Sequence, residues 1–122
     1  MDTQRPVNLK ITSLPITAVV SITHRITGLV LFVGTAYVLY LLQLVLSSEE
    51  TFSSAKQLMS GNIARIGLWL TLVALAFHVI AGVKHLLLDL HVGDTLRAAR
   101  LGSWATLVFT FVLAVFAGVW IW

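Results

Sequence analysis

Long apolar runs separated by short polar stretches dominate the chain, and three of those runs carry no charged residue. Residues 26–46 (ITGLVLFVGTAYVLYLLQLVL), 66–83 (IGLWLTLVALAFHVIAGV) and 102–122 (GSWATLVFTFVLAVFAGVWIW) each come close to the roughly 20 residues with which a helix crosses about 30 Å of hydrocarbon. With their flanks, they predict an all-α integral membrane protein with transmembrane helices over about 21–46, 63–90 and 102–122. Residues 1–20 form a polar N-terminal arm, and 1–122 is read as a single membrane domain. The arm is long and has no small-residue cleavage site, so the first run does not read as a removable signal peptide. The stretch SSEETFSSAKQLMSGN is expected to be a polar connection that caps the second span and carries no chemistry.

Composition agrees with that pattern. The chain is 58% hydrophobic and only 11% charged, too little charge to cover the surface of a soluble domain of 122 residues. It has no cysteine, which excludes a disulfide framework, a thiolate metal site and a cysteine-ligated iron–sulfur cluster on this chain. The net charge of +3 is not a nucleic-acid signature, because the basic residues are scattered among the connections rather than striped along one face. They do encode orientation. Arg5, Lys10 and Arg25 precede or open the first span, and Lys84, Arg97 and Arg100 lie between the second and third. The other connection has Lys56 and Arg65 beside Glu49 and Glu50. Six basic residues against two place the N-terminus in the cytoplasm and the C-terminus outside it, with Trp120 and Trp122 in the far aromatic belt.

The chemistry concentrates in ALAFHVIAGVKHLLLD, residues 74–89. On a helix His78, Gly82 and His85 share one stripe. Lys84 marks the cytoplasmic end of the span, so His78 lies about 9 Å inside it. The plainer reading is a neutral histidine hydrogen-bonded across helices. The functional reading is a ligand, since ionisable residues inside membranes usually mark sites. No carboxylate or thiol shares that depth, which sets aside metal ions with oxygen or sulfur shells. Haem suits the position better, being a broad apolar macrocycle that takes one imidazole on iron and needs cations where its propionates reach water. Gly82 would let a flat ligand approach the backbone. His85, about 10 Å further along the face, is at propionate depth, with Lys84 and Arg25 on the same side of the bilayer. An interfacial His85 paired with Asp89 is the plainer alternative. His24 and His91 are expected near the cytoplasmic interface, well short of His78. One haem is then the most the chain supports, and a second axial ligand would come from another subunit.

A second constellation lies in RPVNLKITSLPITAVVSITHRITG, residues 5–28, where Pro15 is placed to open a helix. Ser21, His24 and Arg25 fall at i, i+3 and i+4, one polar face at the cytoplasmic interface. Hydroxyl, imidazole and guanidinium could hold a carbonyl head group whose isoprenoid tail lies in lipid. Alternatively, His24 and Arg25 snorkel as a basic flank.

Together, S-x-x-H-R-x-[ST]-G and H-x-x-x-G-x-[KR]-H-x-x-x-D resemble the cytochrome b subunits of bacterial succinate dehydrogenase, respiratory complex II. The resemblance covers nearly the whole chain. It implies one half of a two-subunit helical anchor bundle in the bacterial inner membrane, part of electron transport and the tricarboxylic acid cycle. His78 matches the family's axial ligand of haem b, the opposite histidine coming from a second small anchor subunit. Ser21 and Arg25 match residues lining the ubiquinone site, with Leu14 and Ile22 as weaker carry-overs. His24, His85 and Arg25 match positions near the propionates, and Asp89 would support His85. Lys84 keeps the family's positive charge without the fork of an arginine. The chain has no dinucleotide fingerprint, so the FAD and iron–sulfur clusters that the resemblance implies are expected on flavoprotein and iron–sulfur partner subunits. The chain alone is not expected to oxidise succinate.

Three readings compete with this one: the anchor of a quinol:fumarate reductase, a small haem-free transporter whose membrane histidine relays protons, and a purely structural anchor without haem. Topology is testable at once. Reporter fusions should find Trp122 outside the cytoplasm, and an active cytoplasmic reporter at that terminus would defeat the charge argument.

Overall fold

A computed structural model describes residues 15–122, and four α-helices account for nearly all of them. They are α1 (Ile16–Ser47), α2 (Glu49–Ser60), α3 (Asn62–Asp89) and α4 (Leu96–Ile121). Helices α1, α3 and α4 are long and apolar enough to cross a membrane. No strand occurs among the described residues. The all-α expectation and its three spans therefore hold, while the boundaries move.

Each boundary has a local cause. Pro15, at φ −63° and ψ 151°, precedes the first turn of α1, and its carbonyl accepts from the Ala18 and Val19 amides at 3.0 and 3.1 Å. The missing proline N–H costs nothing there. Helix α4 opens at Leu96 because the Thr95 hydroxyl accepts from the Ala98 amide at 3.2 Å, well before the charge-free run at 102. Between α3 and α4 the chain turns through His91 (φ 60°) and Gly93 (φ 70°), with the Val92 amide donating back to Leu87 O at 2.8 Å.

The expectation of a plain polar connection at 47–62 is corrected. Most of it is α2, which departs from α1 at Ser48 and ends at Gly61. The Ser48 hydroxyl caps the Thr51 amide at 3.1 Å, and Glu49 and Glu50 occupy the first turn, where the helix dipole favours acids. Its small apolar face turns inward on Ala55, and Tyr37 of α1 donates to Met59 Sδ at 3.5 Å.

Packing relies on small residues. Lipid is as apolar as leucine, so helices gain little by hiding large side chains and associate through close contacts instead. Phe32, Phe116 and Trp120 face outward at 77%, 68% and 80% exposure, whereas the buried apolar positions are Val20, Ala55, Ala74, Phe77 and Ala81. The antiparallel register of α1 on α3 can be read from its close approaches, Gly28 at His78, Gly34 at Thr71 and Tyr37 at Gly67. Helix α4 packs mainly on α3 and also touches α1, with Leu107 against the buried Val20, Phe77 and Ala81, and Trp69 Nε1 donates to Ala114 O at 2.8 Å.

Gly34 is the tightest of these contacts. A Cβ there would stand 2.7 Å from both Cγ2 and Oγ1 of Thr71. Gly34→Val should part α1 from α3 and lower stability by about 1–3 kcal/mol, the usual penalty for overpacking. Thermal unfolding in detergent, alongside Gly67→Ala as a milder control, measures it.

Candidate functional site

The register of α1 on α3 brings His24, Thr27 and Gly28 against His78, Gly82 and His85. The His24 and His78 rings stack with centroids 4.1 Å apart and planes within 11°. His85 closes on the other side of His24, centroids 5.2 Å apart at 60°. Three imidazoles thus form one continuous group.

This corrects the expected depth of His24, which is not well short of His78. The expectation measured depth from the first charge-free run. Helix α1 in fact starts at Ile16, more than two turns before His24, and its register on α3 sets His24 over Gly82, where a Cβ would lie 3.5 Å from Nε2. The stack still does not make His24 the second axial partner, because rings overlapping face to face at 4.1 Å stand side by side and cannot approach one iron from opposite sides.

His78 is half-buried and makes its polar contacts through Nδ1, 3.1 Å from His24 O and 3.1 Å from Thr27 Oγ1. A carbonyl oxygen can only accept, so Nδ1 carries the proton and the neutral ring's lone pair is on Nε2. Among the described residues Nε2 has no hydrogen-bond partner. Gly28 lies beside the ring, with a Cβ there 3.2 Å from Cε1, and a groove of about 440 Å³ continues from it past Phe32, Thr35 and Leu39. One imidazole with an available Nε2, a glycine floor and an apolar groove fit a haem better than a bare ion. No cluster of three or more His, Asp or Glu suited to a metal ion occurs among the described residues.

The remaining expected residues are placed differently. Ser21 is half-buried, while Ile22 and Arg25 are exposed, so on this chain they form an open face rather than an enclosed pocket. Leu14 lies outside the described residues. Lys84 turns away from the histidines: its stem packs on Gly102 and Nζ donates to the buried Ser103 hydroxyl of α4 at 2.9 Å. Expected only on the cytoplasmic side together with Arg25, it serves here as a clamp between α3 and α4. Asp89 is exposed, and the ion pair found among the described residues joins His91 to Asp94 at 3.6 Å on the surface, not His85 to Asp89. Thr27 was not singled out from sequence, although it stands at the Ser/Thr position of SITHRITG.

Comparison with known proteins gives this geometry a context. Residues 1–117 match the family described as succinate dehydrogenase/fumarate reductase transmembrane subunit. A succinate dehydrogenase cytochrome b556 subunit of Coxiella burnetii is 38% identical over 125 aligned positions, covering 100% of both chains. The subunit of that name from Paracoccus denitrificans is 32% identical, covering 88% of this chain and 83% of its own. The one from Rickettsia felis is 29% identical, covering 87% and 82%. By sequence match along nearly its whole length, the chain belongs to the succinate dehydrogenase/fumarate reductase transmembrane subunit family.

Proposed function

We propose that the chain is the haem b-binding membrane anchor of a succinate:ubiquinone oxidoreductase, with His78 as one axial ligand. The observation that carries the reading is the 3.1 Å contact of His78 Nδ1 with His24 O, an oxygen that can only accept, which leaves Nε2 free for iron beside Gly28. When bound, haem b supplies a one-electron store beside the quinone site. His78 holds it from this chain, and a second small anchor subunit provides the opposite ligand, the two forming one bundle. His24 and His85 extend the imidazole group toward the helix ends where propionates would meet water, and the exposed Arg25 offers them a cation.

Ubiquinone binds, on this reading, against Ser21 and Arg25 with Ile22 and Leu14 as apolar flanks. Ser21 donates a hydrogen bond to a ring carbonyl. Arg25 stabilises the negative charge that develops on that oxygen as the ring gains electrons, as fixed cations do for oxyanions. The openness of this face supports a pocket completed by neighbouring subunits, the iron–sulfur subunit among them, which in turn carries the flavoprotein. The N-terminus lies on the cytoplasmic side of a bacterial inner membrane. Three relatives that share the succinate dehydrogenase name favour quinone reduction over the fumarate-reducing direction.

Membranes containing the whole complex provide the test. His78→Ala should abolish the b-type spectrum, while His85→Ala should retain it with an altered potential; the opposite pattern would exchange the two roles. Ser21→Ala should slow succinate-driven quinone reduction by up to about tenfold, the equivalent of one hydrogen bond of roughly 0.5–1.5 kcal/mol. Arg25→Leu should cost more, because the contact it removes is charge-assisted. Succinate oxidation by a soluble dye should survive both substitutions. Equal loss of the two activities would show that Ser21 and Arg25 hold the assembly together and that quinone binds elsewhere.

A further inference from the structure

We infer that Thr27 is a positioning residue for His78: its hydroxyl, acting with the His24 carbonyl, locks the imidazole into one tautomer and one rotation that present Nε2 as the ligating nitrogen. The inference deepens the assignment of His78 to haem iron and rests on it.

The hydrogen bonds have a determined direction. Thr27 Oγ1 donates to His24 O at 2.8 Å, because that oxygen has no proton to offer. The hydroxyl's single proton is thereby committed, and only its lone pairs are left for His78 Nδ1 at 3.1 Å. His24 O stands at 3.1 Å from the same nitrogen. Because His24 O can only accept, a proton on Nδ1 satisfies both contacts, whereas the other tautomer would set its lone pair against that oxygen. Rotation about the Cβ–Cγ bond would carry Nδ1 away from both acceptors at once.

The surroundings make this bond hard to replace. Thr27 is 8% exposed, so water does not compete for its hydroxyl. The His24 ring covers one face of His78, and Gly28 brings the α1 backbone to its Cε1 edge. Thr27 stands one turn after His24 on α1, the spacing that lets a threonine hydroxyl reach back to a carbonyl of its own helix. One side chain thus orients the acceptor carbonyl and adds a second acceptor. Donation from Nδ1–H also makes Nε2 more basic, which favours the oxidised over the reduced metal.

The test uses the whole complex in its membrane, with Thr27→Val, Thr27→Ser and His78→Ala compared side by side. Thr27→Val keeps the shape and deletes the hydroxyl. It should speed loss of haem to a scavenging apoprotein by about tenfold, the low end for a lost partner of a metal-bound histidine. It should also raise the haem reduction potential and move the low-spin electron paramagnetic resonance signal. Thr27→Ser, which retains the hydroxyl and drops the methyl, should restore all three. Thr27→Ala reads the same deletion without bulk if valine disturbs assembly. An unchanged potential and resonance signal in both hydroxyl-free variants overturns the inference, as does a serine variant no better than valine. His78→Ala separates the underlying assignment. A surviving b-type spectrum there removes the ligand role, and the positioning role with it. A lost spectrum beside a silent Thr27→Val removes the positioning role alone.

Discussion

The approach of α1 to α3 at a distance where a backbone carbonyl of one helix meets an imidazole of the other governs everything else in the molecule. Such an approach needs positions without bulk. Gly28 supplies one against His78, where a Cβ would stand 3.2 Å from the ring, and Gly34 supplies another against Thr71, where it would stand only 2.7 Å away. A leucine at either place would hold the helices apart, and His78 would face hydrocarbon with Nδ1 unpaired, a cost of several kcal/mol for a polar group in lipid. Packing and polar satisfaction are therefore one constraint here, since the residues that let the helices touch also let the histidine find its acceptor.

The same logic governs most other polar side chains within the spans, the buried Thr110 hydroxyl excepted, which has no partner among the described residues. Thr71, Ser103 and Thr106 donate to the carbonyls of Gly67, Ala99 and Gly102 on their own helices at 2.8–2.9 Å. That costs little because each carbonyl can accept twice. Trp69 and Lys84 instead reach across to α4, and each lands beside a glycine, Gly118 and Gly102 respectively. Lys84 is instructive. Its sequence position puts it on the same side of the bilayer as His85, yet it stands one residue away, about 100° around the helix, and reaches α4 instead of α1. Adjacent residues on a helix do not share a face, and α4 offers the nearer hydroxyl.

The three spans were legible because an uncharged run of roughly twenty residues matches the hydrocarbon thickness of a bilayer. The candidate residue types were legible because polar groups are rare within such runs. Register was not. Nothing in the order of residues 16–47 and 62–89 says that Gly82 falls beside His24, because that pairing depends on which small residues can nest once both helices exist. Depth measured from the edge of an uncharged run consequently misplaced His24. Helix α2 escaped notice for a different reason. Its twelve residues bury little beyond Ala55, so hydropathy reads as a loop although the Ser48 cap and the acids after it are ordinary helix-start signals.

The histidine group and the Ser21–Arg25 face occupy the same few turns of α1 but have opposite mechanical characters. His24 turns toward α3 and is held by two imidazoles and a helix backbone, while Arg25, the next residue, is exposed. For the function proposed, that division is apt. A metal ligand works best when its rotation and tautomer are settled before the cofactor arrives, since any freedom left must be lost on binding. A site for a lipid-soluble quinone has to admit and release its occupant at every turnover, so it gains from a wall that other subunits complete. By placing His24 and Arg25 in succession on one helix, the chain couples a rigid interior to an open exterior over a single peptide bond. Any shift of α1 against α3 would then disturb both at once.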